Sequence, residues 1–427
     1  MALSFDTIWS KPLVAEAGGD TDLMIRITAG AAPAGASQRA PIDVAFIIDR
    51  SGSMGGGKLE VAKQGVSVAL GHLDQRDRAA LVMYDNEIDL LQELSPVSAT
   101  ARRAMTDTLR RIEPRGSTNL GDGWLTGCQQ LAGGMPGAIS ADHRVRRAIL
   151  LTDGQANVGL VDPGQLAHHA GELRARGVST TTLGFGDDFD EQLLSAMAEA
   201  GGGNFEYIAT PDQLVPFFTR ELGELLAAVA IGITLRITLP AGVRGELISR
   251  LPVERHGKTF EVVVGDLPGG ESVDLLFHLT TERGTAGDLL PVAIEARWSD
   301  PMTDDSATWT GGPVPLLRSS AVVVAATASD PDVAEKVALQ RAANAQREAM
   351  LLDRQGRFAE SRQAFYQAAG ALANAPQTDR VRFEHAAASQ LADYDISRPL
   401  AEADHKRTAS RASRMVRGRR DREENAR

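Results

Sequence analysis

The sequence predicts an α/β fold, a mostly parallel sheet with helices on both faces, joined to an antiparallel β-sandwich and a C-terminal helical region. Three observations carry this. From Pro41 to Ala230, short apolar runs alternate with helical apolar spacing, the pattern of a sheet wound on both sides. From Ile231 to Ala326 the period changes to two, in short strands parted by turn residues such as Pro268-Gly269-Gly270. From Asp330 the chain becomes alanine-rich with helical spacing. The expected division is 1–40 as N-terminal strand of the sandwich, 41–230 as the α/β domain and 231–328 as the sandwich. Residues 329–396 follow as a helical domain and 397–427 as a disordered Arg/Ser-rich tail.

Taken in order, Leu23–Thr28 alternates, with Leu23, Ile25 and Ile27 on one face. One strand cannot form a sheet alone, so it is assigned to the sandwich, which makes the α/β domain an insertion. A GAAPAGAS linker follows. Val44–Ile48 is short, apolar and unbroken, as suits a strand buried on both faces. Lys58 opens a helix bearing Leu59, Val61, Ala62, Val66, Ala69 and Leu70. Ala79–Tyr84 and Glu87–Leu91 flank Asp85-Asn86, a hairpin signal that makes the second an antiparallel edge. A helix over Ala99–Ile112, another ending near Leu131 and a strand over Ala148–Leu151 come next. Asp162-Pro163 reads as an N-cap followed by proline at the first helical position. Val178–Phe185 is a strand, Glu191–Ala200 a helix and Asn204–Ile208 a strand. The last helix of this part runs from Thr210-Pro211-Asp212 to about Ala230.

The sandwich strands are read as ITLRITL, GELISRL, FEVVVGDL, SVDLLFHL, LPVAIEARW and SAVVVAA, with Trp298 and Trp309 as core or edge residues. Pro331–Ala375 is helical with a break at Gly356, and QGRFAESRQAFYQAAGAL resembles half of a tetratricopeptide-type helix pair. A single copy predicts a hairpin rather than a repeat array. A third helix spans about Asp379–Tyr394, and the Arg- and Ser-rich stretch beyond Ser397 reads as a solvated tail.

At 427 residues the chain exceeds one ordinary domain. A net charge of −11 opposes general nucleic-acid binding, which needs a basic surface. The single cysteine, Cys128, rules out an internal disulfide framework and reads as a small core residue. The N-terminus shows no secretory pattern, and no stretch suits a bilayer span, so the expectation is a cytoplasmic protein without membrane contact.

The chemistry concentrates in three loops. Asp49, Ser51 and Ser53 alternate in DRSGSM, at the carboxyl end of a strand where open α/β sheets bind ligands. Thr118 lies in RGSTNLGDG, and Asp153 follows the strand in RAILLTDG. Hard oxygen donors of this kind suit Mg²⁺, Mn²⁺ or Ca²⁺. GSMGGGK also approaches a phosphate-binding loop through Gly52, Gly57 and Lys58. Leu59 removes the hydroxyl that would hold nucleotide-bound Mg²⁺, and Asp49 would repel a phosphate. The remaining alternative is a turn whose Asp and Ser cap the helix at Lys58. A second cluster, His168, His169, Asp187, Asp188 and Asp190, reads as a helix cap beside two histidines that do not face one another.

DRSGSM, GSTNLG and LLTDG, in that order, resemble the von Willebrand factor A family with a complete metal-ion-dependent adhesion site, at Asp49, Ser51, Ser53, Thr118 and Asp153. GFGDDFDEQLLSAMAEAGGGNFEYI resembles the family's bacterial branch. The resemblance implies a Rossmann-like domain in which a bound divalent cation, Mg²⁺ or else Mn²⁺ or Ca²⁺, coordinates a partner's Asp or Glu carboxylate. It implies a binding module and not an enzyme, because the motif supplies no nucleophile or proton shuttle. Rival readings are a self-assembling structural subunit, an accessory of an AAA+ ATPase, and a metal- or nucleotide-dependent hydrolase.

Overall fold

The chain begins in a sheet that it completes only after residue 230. The computed structural model describes residues 3–31, 39–133, 144–154, 156–186, 189–208, 210–301 and 305–416. Strands β1 (Leu3–Trp9), β2 (Leu13–Ala15) and β3 (Gly19–Ala29) come first. β3 pairs antiparallel with β1 on one side and with residues 272–281 on the other, so the strand read at Leu23 lies inside a sheet. The expected linker at 30–37 falls mostly outside the described residues.

The α/β part comprises β4 (Ile42–Asp49), α1 (Lys58–His72), β5 (Arg78–Tyr84), β6 (Ile88–Pro96), α2 (Ala99–Arg110) and α3 (Leu120–Ala132). It continues with β7 (Val145–Thr152), α4 (Pro163–Ala175), β8 (Val178–Phe185), α5 (Glu191–Ala200), β9 (Gly202–Ile208) and α6 (Leu214–Leu226). The sheet order is β6-β5-β4-β7-β8-β9, with β6 antiparallel at the edge. Every position of β4, β7 and β8 is buried, because helices cover both faces. Val44, Phe46 and Ile48 face α1 and α6, while Ala45 and Ile47 face α3. α3 sits close on the sheet through Gly123 and Gly127, where a Cβ would meet the Tyr84 ring at 2.6 Å and Ile47 at 2.4 Å. Cys128 is buried on this face, as expected. α6 stops at Leu226 rather than near Ala230, because Ala228 and Ala230 already pair with Pro268 and Leu267 in the sandwich.

The sandwich adds β10 (Ala228–Thr238), β11 (Val243–Leu247), β12 (Val253–His256), β13 (Thr259–Pro268), β14 (Ser272–Thr281), β15 (Leu289–Asp300), β16 (Asp305–Thr310) and β17 (Val314–Ser319). One sheet runs β1-β3-β14-β11; the other runs β12-β13-β10-β15-β17-β2, with β16 on β15. Leu23, Ile25 and Ile27 share a core with Leu235, Ile237, Phe277 and Ile294. Trp298 is buried in that core, and Trp309 stacks on Phe5 with ring centroids 4.3 Å apart. SAVVVAA is not a strand but α7 (Ala321–Ala326). β17 already lies between β15 and β2, so the valine run cannot pair with it, and the Ser320 hydroxyl caps a helix at Val323. β11 ends at Leu247, short of the expected Leu251, because Ser249 turns its hydroxyl to the Leu276 amide.

The helical region holds α8 (Pro331–Arg354), α9 (Phe358–Ala373), α10 (Asp379–Ala392) and α11 (Glu402–Val416). Gly356, at φ +76°, turns the chain between α8 and α9. The stretch expected as a solvated tail instead forms α11 over residues 402–416, packed on α8, α5 and β9. Its hidden face carries His405, Lys406, Thr408, Ala409 and Ala412. Asp353 holds it there, accepting from Arg362 Nη1 (2.7 Å), the Leu400 amide (2.9 Å) and His405 Nε2 (3.0 Å). Among the described residues no helix is long and apolar enough to cross a membrane.

Removing Asp353 leaves the buried Arg362 guanidinium without its counter-charge. Asp353→Ala is expected to cost about 3–5 kcal/mol in urea unfolding and to raise amide exchange across residues 400–416. Unchanged exchange there would show that α11 is held by other contacts.

Candidate functional site

Parallel pairing of β4 with β7 sets Ile48 opposite Leu151 and brings Asp49 beside Thr152 and Asp153 at the carboxyl edge of the sheet. Asp49 Oδ1 accepts the Ser51 amide (2.7 Å), and Oδ2 accepts the Thr152 hydroxyl (2.6 Å). The Ser51 and Ser53 hydroxyls are 3.0 Å apart, and Ser53 donates to Asp153 Oδ1 at 2.8 Å. The other oxygen of Asp153 binds Lys58 Nζ at 2.5 Å. Gly154 marks where the loops converge. A Cβ there would lie 3.3 Å from Thr118 Oγ1, 3.6 Å from Ser53 Oγ and 3.8 Å from Asp49 Oδ2. All five residues singled out in the sequence thus gather at one place, on three loops.

Their side chains are not spent on capping α1. That helix starts behind Gly57, at φ +100°, and has no side-chain cap. Lys58 is bound to a carboxylate, which also separates the loop from a phosphate cradle. His168 and His169 lie on α4 near Glu172. Asp190 caps α5 by accepting the Gln192 and Leu193 amides, and Asp187 and Asp188 lie outside the described residues.

Several supporting residues were not recognised in the sequence. Asn157 clamps the Thr118 loop: its Oδ1 accepts the Thr118 amide at 2.9 Å, while the Asn157 and Val158 amides donate to the Thr118 carbonyl. Asp85 collects Arg50 Nε (2.8 Å) and Arg115 Nε (2.7 Å) on one oxygen. The Arg115 amide meets the Arg50 carbonyl and the Gly52 amide meets the Gly116 carbonyl, which ties the first two loops together. Gly116, at φ +72°, has no room for a Cβ, which would come within 2.3 Å of Asn86 Oδ1. The sequence signal was present in Asp85-Asn86 and in an arginine beside each motif, but only the fold shows them sharing one carboxylate.

Burial pushes the Asp49 carboxyl up to about 6, against the hydrogen bonds from Thr152 and Ser51 and with the Asp153 charge adding to the rise. Lys58 pairs with Asp153, while a charge on Asp49 is opposed mainly by burial. Tyr84 lies beneath the loops; burial, then the charge of Asp49, hold its phenol well above the ordinary range, so it stays neutral. Among the described residues no group of three or more His, Cys, Asp or Glu side chains could hold a metal. The cluster here combines two carboxylates with three hydroxyls around an open point at Gly154, a donor set that fits a hard divalent cation.

Residues 43–220 match the family model of the von Willebrand factor type A domain, and the chain carries such a domain. The uncharacterized protein sll0103 of Synechocystis sp. is 27% identical over 314 residues, which are 70% of this chain and 72% of that one. The protein YfbK of Escherichia coli is 29% identical over 247 residues, 56% of this chain and 41% of YfbK, so the chain spans well under half of that relative. Among solved structures, a von Willebrand factor type A protein from Catenulispora acidiphila superposes with a TM-score of 0.76 at 18% identity. The match covers 96% of both chains, so it shows the fold for sheet, sandwich and helices together.

Two outcomes follow from the geometry. The rise of Asp49 from its ordinary 3.8 to about 6 corresponds to about 3 kcal/mol. A carboxyl with a raised folded pKa favours the folded state while protonated. Stability of the metal-free protein is therefore expected to fall as pH rises from about 4 to about 6 and then level off. Asp49→Asn removes this dependence, as urea titrations across that range would register. Asn157→Ala is expected to cost about 1–3 kcal/mol and to broaden the Thr118 amide resonance; a sharp, unshifted resonance would deny the clamp.

Proposed function

We propose that this protein is a metal-dependent protein-binding module, in which a divalent cation at Asp49, Ser51, Ser53, Thr118 and Asp153 coordinates an Asp or Glu carboxylate of a partner. The observation that supports this most is the convergence of those five side chains at Gly154. Neutral hydroxyls leave a cation electron-poor, so it holds a further carboxylate strongly. Asp153 is already engaged by Ser53 and Lys58, which favours an indirect role for it through water. Mg²⁺ is the first candidate, with Mn²⁺ or Ca²⁺ as alternatives. The five residues include no histidine to activate a hydroxyl, which favours binding over catalysis. We further propose that residues 41–230 are a domain inserted into the sandwich. Its last helix, α6, passes through Ala227 directly into β10, which gives a short route from site to sandwich.

Calorimetry is expected to find one Mg²⁺ or Mn²⁺ site in the full chain and none in Asp49→Ala, with circular dichroism unchanged. Retained metal binding in that variant would falsify the assignment. Light scattering with Mg²⁺ and with chelator then separates an external partner from a second copy of the chain. Only metal-dependent growth in mass would favour self-assembly.

A further inference from the structure

Lys58 is the first residue of α1, and a cation is out of place there. The amino end of a helix carries a partial positive charge, which favours acidic side chains in the first turn and disfavours lysine. Gly56 and Gly57, at φ +67° and +100°, turn the chain into this position. The side chain then reaches away from its own helix and sets Nζ 2.5 Å from Asp153 Oδ2. Gly186, just past the end of β8, leaves room for the stem. A Cβ there would lie 3.2 Å from Lys58 Cε and 3.4 Å from Nζ.

What holds the lysine there is Asp153. The aspartate side chain is fully buried, and a buried carboxylate without a counter-charge is costly. The guanidinium groups of the neighbouring loops are turned elsewhere, since Arg50 and Arg115 both bind Asp85. The Ser53 hydroxyl takes one oxygen of Asp153 and the Lys58 ammonium takes the other. Any divalent ion that gathers Ser53 and Asp153 therefore meets an aspartate already paired with a cation. The lysine side chain is itself 30% exposed, so solvent is within reach of its flexible stem.

We infer that Lys58 is a tethered counter-cation of Asp153, with which a divalent ion at the site has to compete. This rests on the metal-binding role proposed above. Both positive charges draw on the same aspartate, and at close range they repel one another. Loading therefore means either sharing Asp153 against that repulsion or releasing Lys58 to solvent. In both cases the lysine raises the metal concentration at which the site fills, and it keeps Asp153 paired below that concentration. The five oxygen residues supply affinity, and Lys58 sets the threshold. A lysine that merely positioned Asp153 would act in the opposite sense, because its removal would loosen the carboxylate and weaken metal binding.

Titration calorimetry on the full chain, with Mg²⁺ and separately with Mn²⁺, reads the sign directly. Lys58→Gln removes the charge but keeps a hydrogen-bond donor, and Lys58→Met removes both. Each variant is expected to bind at least one of the two ions about tenfold or more tightly than the parent. In chelator both variants are expected to melt below the parent, with the fold checked by circular dichroism, and saturating metal is expected to narrow that gap. Metal affinity in Lys58→Gln equal to or weaker than the parent's would overturn the proposal while leaving the metal site in place. If parent and variants alike bound neither ion, the metal site itself would fall, and this proposal with it.

Discussion

The hydrogen bond from the Thr152 hydroxyl to the Asp49 carboxylate joins the ends of β4 and β7, and the site is arranged around it. It exists because the two strands are parallel and in register, so both chains leave the sheet at one edge. Having brought Asp49 and Asp153 together, the sheet places two buried carboxylates side by side. The loops answer this with amides and hydroxyls from Ser51, Ser53 and Thr152, and with one cation, Lys58. These donors orient the carboxylates but do not neutralise both. The high Asp49 pKa is first the trace of its burial, with the neighbouring charge of Asp153 adding to it.

The rest of the molecule makes such a shortfall tolerable. The core on the α3 side of the sheet continues through Leu193 and Met197 of α5 into Met350, Phe365 and Ala409 of the helical region. Glu191, at the start of α5, is bound by Arg354 of α8, and Arg347 of α8 reaches Glu199. On the other face, Gly65 of α1 allows Leu214 and Phe218 of α6 to approach so closely that a Cβ would lie 2.4 Å from Leu214. The helix that follows the Asp49 loop is thereby packed on the helix that enters the sandwich. A shift at Lys58 would have to be absorbed by this contact or passed along it.

Much of this was legible because the signals were local. Val44–Ile48, Ala79–Tyr84 and Val178–Phe185 are apolar enough to specify buried strands, and Asp162-Pro163 specifies a helix start on its own. The five residues of the site were readable for the same reason, each lying in a short glycine-flanked loop. What escaped depends on distant partners. Val322–Val324 has the composition of a strand, yet the edge it would join is occupied by β2, a segment some three hundred residues earlier. α11 is polar in composition, and its burial rests on Asp353 and on the ring of Phe189, which Lys406 Nζ approaches to 4.9 Å. β1 is fixed by distant partners too, β3 and the Trp309 ring.

The candidate site therefore holds two buried carboxylates at the carboxyl edge of the sheet, with Lys58 on Asp153. The cost of burying an ionised Asp49, about 3 kcal/mol, is a large part of the 5–15 kcal/mol by which a domain is ordinarily stable. Such a cost persists in a fold only where the surrounding packing over-determines the local geometry. Here the geometry is locked by an element that the carboxylates do not themselves stabilise, the β4–β7 register. The position is thus organised before any ligand arrives, so a cation would gain its interaction without first having to order the groups that bind it.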